Sequence, residues 1–288
     1  MQSSEKFAVI GDPISHSKSP QLHNEFGKEF KLKLSYDKVH THSSELAARV
    51  DNLIELGYRG FNVTLPLKEA MYELGVLRGY DLSERSIRAQ SVNTVSIKKE
   101  KIFLDNTDGA GFIKSMNYPH GFNLHKKNLL IIGAGGAAKG IIGPILDVHP
   151  ARITISNRSL EKIKILRERF NSPLLSFNLL NDLNSDSILK DYENTGSFDI
   201  IVNATSSSVS MEDSLINPKY FRNVQLIVDL FYAKNLTSFL RVAKEYGCIH
   251  VMDGFPMLVE QAAESFYVWT GLKPDTNRII SQRDIFFE

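Results

Sequence analysis

Two kinds of residue group in this chain have types and spacing that could do chemistry. The first is glycine-rich: Ile132-Gly133-Ala134-Gly135-Gly136-Ala137-Ala138 satisfies the pattern G-x-G-x-x-G/A. In such a turn the first glycine permits a tight bend and the second lets backbone approach a pyrophosphate. A small third residue lets the next helix pack on its sheet. Backbone N–H groups at the helix start then face phosphate oxygens. About twenty residues on, an NAD site usually places Asp or Glu to hold the ribose 2′-hydroxyl. Here the chain reads Thr154-Ile-Ser-Asn157-Arg158-Ser159, with Lys162 one turn later. No carboxylate repels a 2′-phosphate and a guanidinium is placed to grip one, so NADP(H) is favoured over NAD(H). Without a ligand, the same residues are a strand–helix turn and a solvated arginine at a helix start, where a cation is slightly unfavourable.

The second kind is a set of four polar segments: residues 11–24 with Ser17 and Ser19, residues 62–68 with Thr64 and Lys68, residues 91–94 with Asn93, and residues 105–109 with Asp108. Each joins a strand to a loop, where α/β proteins place ligands. Singly, each has an ordinary reading: Ser17 and Ser19 as helix N-caps, Lys68 as a solvated first-turn lysine, Asn93 and Asp108 as turn residues.

The elements that must position these groups alternate along the chain. Strands are expected at 7–10, 34–40, 60–63, 92–97 and 102–105. Helices are expected from Ser19-Pro20 to about 30, over 43–56, and from Pro66 to near Gly79. Beyond Asp108-Gly109 the texture changes. The unbroken apolar run 129–132 suits a parallel strand covered on both faces, and a helix to about 148 follows. Strands are then expected at 152–156, 198–202, 226–230 and 248–252, helices at 160–170 and 238–246, and a last helix at 257–269. Alternation of this kind predicts a doubly wound parallel sheet. The fold class is thus α/β with two domains: residues 1–108, with 254–288 packing back on them, and a Rossmann-like domain over 109–253. The site is expected between them. Residues 181–197 read as a polar surface excursion.

Composition narrows the function. Lys+Arg 34 against Asp+Glu 33 leaves a net charge of +1, which argues against a dedicated nucleic-acid binder. Cys248 is the only cysteine, which excludes an intrachain disulfide or a cysteine-built zinc site. No apolar run is long enough for a membrane helix and the first residues lack a secretory pattern, so a cytoplasmic protein is expected. His40-Thr-His42 and Cys248-Ile-His250 read as isolated pairs, surface or packing residues rather than metal ligands.

Taken in order, GxPxxHSxSPxxHN, NVTxPxK, VNT, NTDG, GAGGAA, NR, NATSS and MLxxQxxxxFxxWTG resemble the shikimate dehydrogenase family from about residue 7 to residue 271. The resemblance implies reversible reduction of 3-dehydroshikimate to shikimate by NADPH, with no metal. It carries the catalytic lysine onto Lys68 and the catalytic aspartate onto Asp108. It sets Ser17, Ser19 and Tyr232 against the substrate carboxylate, and Thr64, Asn93 and Gln261 against its hydroxyls. On the cofactor side it implies Gly133, Ala134, Gly135, Gly136 and Ala137 at the phosphates, and Asn157, Arg158, Ser159 and Lys162 around the 2′-phosphate. Thr205, with Ser206, falls in the nucleotide-side loop, and Gly254 and Met257 beside the nicotinamide. The expected partners are this small-molecule substrate and cofactor, with no nucleic acid or membrane, in a monomer or homodimer. Gln90, Ser91, Leu104, Ser208, Lys234 and Pro256 depart from the family pattern, several of them from glycine, which reaches φ > 0 more easily. Two other readings remain: an enzyme for quinate or a related cyclic hydroxy acid, and a non-catalytic sensor of nucleotide or substrate.

Overall fold

The computed structural model describes residues 4–99, 101–119, 121–183, 185, 198–205 and 216–287. Ser206, Ser208 and nearly all of the polar stretch after Leu183 lie outside the described residues. The chain divides into two compact units. One takes the chain up to Phe112 and again over Leu258–Phe286; the other is Ile113–Met257 with Phe287. Both crossings fall inside helices, Asp108–Ser115 and Phe255–Thr270. The sequence reading set them at the helix starts instead.

In the first unit, β1 (Glu5–Gly11), β2 (Leu34–His40), β3 (Tyr58–Val63), β4 (Asp81–Leu82), β5 (Thr94–Lys98) and β6 (Lys101–Asp105) form one sheet. Their order is β2-β1-β3-β5-β6-β4. Strand β1 reads as a continuous apolar run because its alternate residues serve two cores. Ala8 and Ile10 pack with Val63, Leu67, Met71, Val95 and Leu104, while Phe7 and Val9 pack with Ile14, Tyr36 and Trp269. Trp269 lies across the sheet, its ring stacked on Phe7 at 4.7 Å and its Nε1–H donating to Val95 O at 2.9 Å.

Strand direction decides where the polar segments go. β1 and β3 are parallel, β5 is antiparallel to β3, and β6 is antiparallel to β5, with Ile10 beside Val63, Asn62 beside Thr94, and Thr94 beside Asp105. The ends of β1, β3 and β6 therefore share one edge with the start of β5. All four polar segments of the first unit converge there.

In the second unit, β7 (Asn128–Ile132), β8 (Arg152–Asn157), β9 (Leu175–Leu179), β10 (Ile200–Asn203), β11 (Leu226–Asp229) and β12 (Val251–Asp253) form an all-parallel sheet. The order β12-β11-β10-β7-β8-β9 is the expected doubly wound arrangement, reversing at β7. Such a switch opens a crevice beyond the carboxyl ends of the strands. Strand β9 was not expected: all five of its residues are half-buried, so no inside–outside alternation marks it. Among the described residues, no helix is long and apolar enough to cross a membrane.

Candidate active site

Lys68 opens the helix Lys68–Arg78, and Asp108 opens the helix Asp108–Ser115. A carboxylate at a helix N-terminus is favoured by the backbone dipole, and an ammonium there is not. The two meet across the sheet edge: Lys68 Nζ donates to Asp108 Oδ2 at 2.7 Å, with side chains only 13% and 4% exposed. A pair this shielded persists only when its remaining valences are met. Asn93 meets one, its Nδ2 donating to Asp108 Oδ1 at 2.8 Å and lying 3.1 Å from Gln261 Oε1. The backbone N–H of Asp108 donates to Asn106 Oδ1 at 3.1 Å. Lys68, Asn93, Asp108 and Gln261 thus form one bonded group, drawn from four places in the chain.

Residues that sequence reasoning gave no role stand behind this group. Asn93 Oδ1 accepts from the Thr107 N–H at 2.9 Å and from Thr94 Oγ1 at 2.8 Å. Asn62 Nδ2 donates to Asn93 O and to Ser265 Oγ, both at 3.0 Å, and Tyr36 OH donates to Asn62 Oδ1 at 2.6 Å. Burial pushes the Tyr36 phenol well above its ordinary pKa, so it stays a neutral donor. One signal for Ser265 was present: it lies four residues after Gln261 on the same helix face. Gly111 allows this helix close, since a Cβ there would stand 2.6 Å from Gln261 N.

Ser17 and Ser19 form a separate buried pair, Ser17 Oγ donating to Ser19 Oγ at 3.2 Å. The reading of Ser19 as N-cap is corrected: the helix Ser19–Glu29 begins with it and Lys18 takes the cap position. Ser17 Oγ instead accepts the Ser19 N–H at 3.3 Å, covering a donor the helix leaves open. Beside them His23 is fully buried, its ring stacked on Tyr36 at 4.5 Å. Burial lowers its pKa to about 3, so it is neutral. Thr64 follows β3 half-buried, its backbone N–H donating to Ile10 O at 2.9 Å. Tyr232 belongs to the second unit, where its ring meets Phe231 and Phe287.

Three departures from the family pattern find local explanations. Gln90 ends the helix Glu84–Ala89 at φ 45°, ψ 47°, the left-handed conformation that glycine adopts most easily. Leu104 is buried over Gly75, where any Cβ would collide with it; a glycine in the Lys68 helix makes room for the larger residue. Pro256 sits in the first turn of its helix, where no intrahelical N–H bond is lost, and Lys234 is exposed.

In the second unit the glycine turn lies at the switch point. Gly133 has φ 116° and its N–H donates to Ser156 O at 2.8 Å. A Cβ on it would stand 2.9 Å from Ala204 O, so strand spacing and backbone angle both require glycine. Gly135 caps the helix Gly136–Asp147 and has open space where a Cβ would be. Ala134 and Gly136 are buried and Ala137 half-buried. These features suit a phosphate laid against backbone N–H groups.

On the neighbouring strand end, Ser159 caps the helix Leu160–Phe170 by accepting the Lys162 N–H at 3.3 Å, and Asn157 Nδ2 donates to Ser159 O at 3.3 Å. Arg158 is exposed, with no hydrogen bond or ion pair among the described residues. A free guanidinium beside a helix N-terminus fits a 2′-phosphate. Thr205 donates through Oγ1 to Asn203 Oδ1 at 2.7 Å. Asn203 in turn donates to the buried Asp229 at 3.2 Å, a support that sequence reasoning did not assign. Gly254 is held with its N–H on Phe231 O at 3.0 Å, so close to Leu230 O that any side chain would clash, and Met257 is buried.

Residues 9–95 match the shikimate dehydrogenase substrate binding domain, residues 117–252 the shikimate / quinate 5-dehydrogenase family, and residues 254–282 the shikimate 5'-dehydrogenase C-terminal domain. The chain is 37% identical over 280 residues to the shikimate dehydrogenase (NADP(+)) of Dechloromonas aromatica (strain RCB), covering 97% of each. It is similar to the crystal structure of an Ael1 enzyme from Pseudomonas putida, with TM-score 0.84 and 34% identity over 97% of this chain and 98% of that one. It is also similar to shikimate 5-dehydrogenase from Thermus thermophilus in complex with NADP(H) and shikimate, with TM-score 0.80 and 31% identity over 97% and 99%.

Proposed function

The chain belongs to the shikimate dehydrogenase family of NADP-dependent oxidoreductases acting on CH–OH groups, and we propose that it interconverts 3-dehydroshikimate and shikimate with Lys68 and Asp108 as its acid–base pair. The observation that carries the proposal is the shielded 2.7 Å contact between Lys68 Nζ and Asp108 Oδ2, with the second carboxylate oxygen taken by Asn93. NADPH supplies a hydride to the carbonyl carbon when bound. The carbonyl oxygen then needs a proton, and the Lys68 ammonium donates it from Nζ. Asp108, held by Asn93 and by its own N–H on Asn106, keeps the ammonium in place. In the reverse direction Lys68 accepts the hydroxyl proton.

In this reading Ser17, Ser19 and Tyr232 receive the substrate carboxylate, and Thr64, Asn93 and Gln261 its hydroxyls. Residues 1–108 and 254–288 serve the substrate, and residues 109–253 serve the nucleotide. Gly133, Ala134, Gly135, Gly136 and Ala137 cradle its phosphates. Asn157, Arg158, Ser159 and Lys162 hold the 2′-phosphate, Thr205 lines the nucleotide side, and Gly254 and Met257 flank the nicotinamide. The protein works in the cytoplasm as a monomer or homodimer. Purified protein is expected to oxidise shikimate with NADP+ at a much higher kcat/KM than with NAD+. Preference for quinate with NAD+ would overturn the substrate and cofactor assignment. Absence of turnover with any cyclic hydroxy acid would leave a sensor.

A further inference from the structure

Sequence spacing leaves His40 and His42 as an isolated pair; strand pairing supplies a third member. β1 and β2 run parallel with Gly11 opposite His40, and the Thr41 N–H continues the ladder to Gly11 O at 3.1 Å. Asp12, the next residue, therefore stands beside the end of β2. His42 continues the extended chain at φ −73°, ψ 153°, so it shares a side with His40 two residues earlier. His40 Nε2 lies 2.8 Å from Asp12 Oδ1, and His42 Nδ1 lies 2.8 Å from Asp12 Oδ2. The two imidazoles are 4.6 Å apart at near right angles. One ligand atom from each of the three residues falls within 4.8 Å of the others.

We propose that Asp12, His40 and His42 bind a divalent transition-metal ion, with Zn2+ as the reference ion. Two imidazole nitrogens and one carboxylate oxygen are a mixed N/O set suited to Zn2+ rather than to Mg2+ or Ca2+, which prefer oxygen alone. All three side chains are partly exposed, so an ion can reach them and keep water on its remaining positions. The backbone is set in advance, because each ligand sits at, or within two residues of, the end of a paired strand. The bound ion ties the start of the 11–19 loop, which carries Ser17 and Ser19, to the end of β2. Lys38 Nζ already makes a tie of that kind, donating to Ser15 O at 2.5 Å.

The test uses tag-free, chelator-washed full-length protein in equilibrium dialysis against Zn2+ at neutral pH. Saturable binding of one ion per chain is expected, and His40→Ala, His42→Ala and Asp12→Asn should each weaken it by about tenfold or more. His250→Ala should bind as the parent does. Cu2+ bound to the parent should show coupling to two imidazole nitrogens in its electron paramagnetic resonance spectrum, and His42→Ala should reduce this to one. Retained shikimate oxidation by the His variants shows that they are folded. Unchanged Zn2+ affinity in the His40→Ala/His42→Ala double variant, or no saturable binding by the parent, would leave the triad a hydrogen-bonded bracket and overturn the proposal.

Discussion

At the polar edge of the first sheet the central side chains already have partners: Lys68 on Asp108, Asp108 on Asn93, Asn93 beside Gln261. At the carboxyl edge of the second sheet the reverse holds. Gly135 faces open space, the helix behind it presents its N-terminus, and Arg158 stands exposed with no partner among the described residues. The difference follows from burial. An ammonium and a carboxylate shielded from water must satisfy each other before any substrate arrives, or the fold bears their desolvation. Backbone N–H groups and an exposed guanidinium are solvated by water and lose little by waiting for an anion. The first edge is therefore rigid and sensitive to any missing partner. The second is tolerant in the free protein and reveals its losses only when nucleotide binds.

The largest expected effect tests the first edge. Lys68→Ala should lower kcat for shikimate oxidation by roughly 10²–10⁴-fold while leaving NADP+ affinity nearly unchanged; near-normal turnover would remove Lys68 from the chemistry. Arg158→Ala should leave thermal stability alone and weaken NADP+ binding by roughly 10–100-fold, the equivalent of a lost charge-assisted contact, with little change for NAD+. Equal losses for both nucleotides in a fluorescence titration would argue against 2′-phosphate contact.

His23 reports burial at the first edge. Its folded pKa of about 3 lies below the ordinary 6.5, so between those pH values the unfolded chain binds a proton that the folded chain refuses. Stability should then fall as pH drops through that window, by about 1.4 kcal/mol per pH unit from this group alone. His23→Phe should flatten the slope in urea titrations, and an unaltered slope would mean His23 is not the source. The smallest effect concerns Gln90, held at φ 45°. Gln90→Gly should raise the unfolding free energy by about 0.5–1 kcal/mol without altering kcat. A fall in stability would show that the Gln90 side chain contributes more than its backbone costs.

Much of this was legible along the chain. The apolar runs at 7–10 and 129–132, the glycine turn, and the order of the polar motifs are local patterns, and they led to the α/β class, the doubly wound second sheet and the candidate residues Lys68, Asp108, Asn93, Gly133 and Arg158. Other features were not legible. Strand β9 carries no alternation because it is an edge strand half-buried throughout. Ser17 rather than Ser19 serves the open helix donor, because the helix begins at Ser19 itself. Tyr36, Asn62 and Thr107 stand behind the Lys68–Asp108 pair through bonds that no spacing announces.

Residue type, periodicity and turn chemistry are properties of neighbours in the chain, so sequence could name which groups were available and which backbone angles they required. Partnership is a property of strand order. Antiparallel β5 brings Asn93 to Asp108, and the β1–β2 register brings Asp12 to His40, 28 residues away. Those meetings depend on which strands pair and in which direction. That choice is made by the packed sheet as a whole, where burying both faces of β1 and satisfying every buried polar group must succeed together.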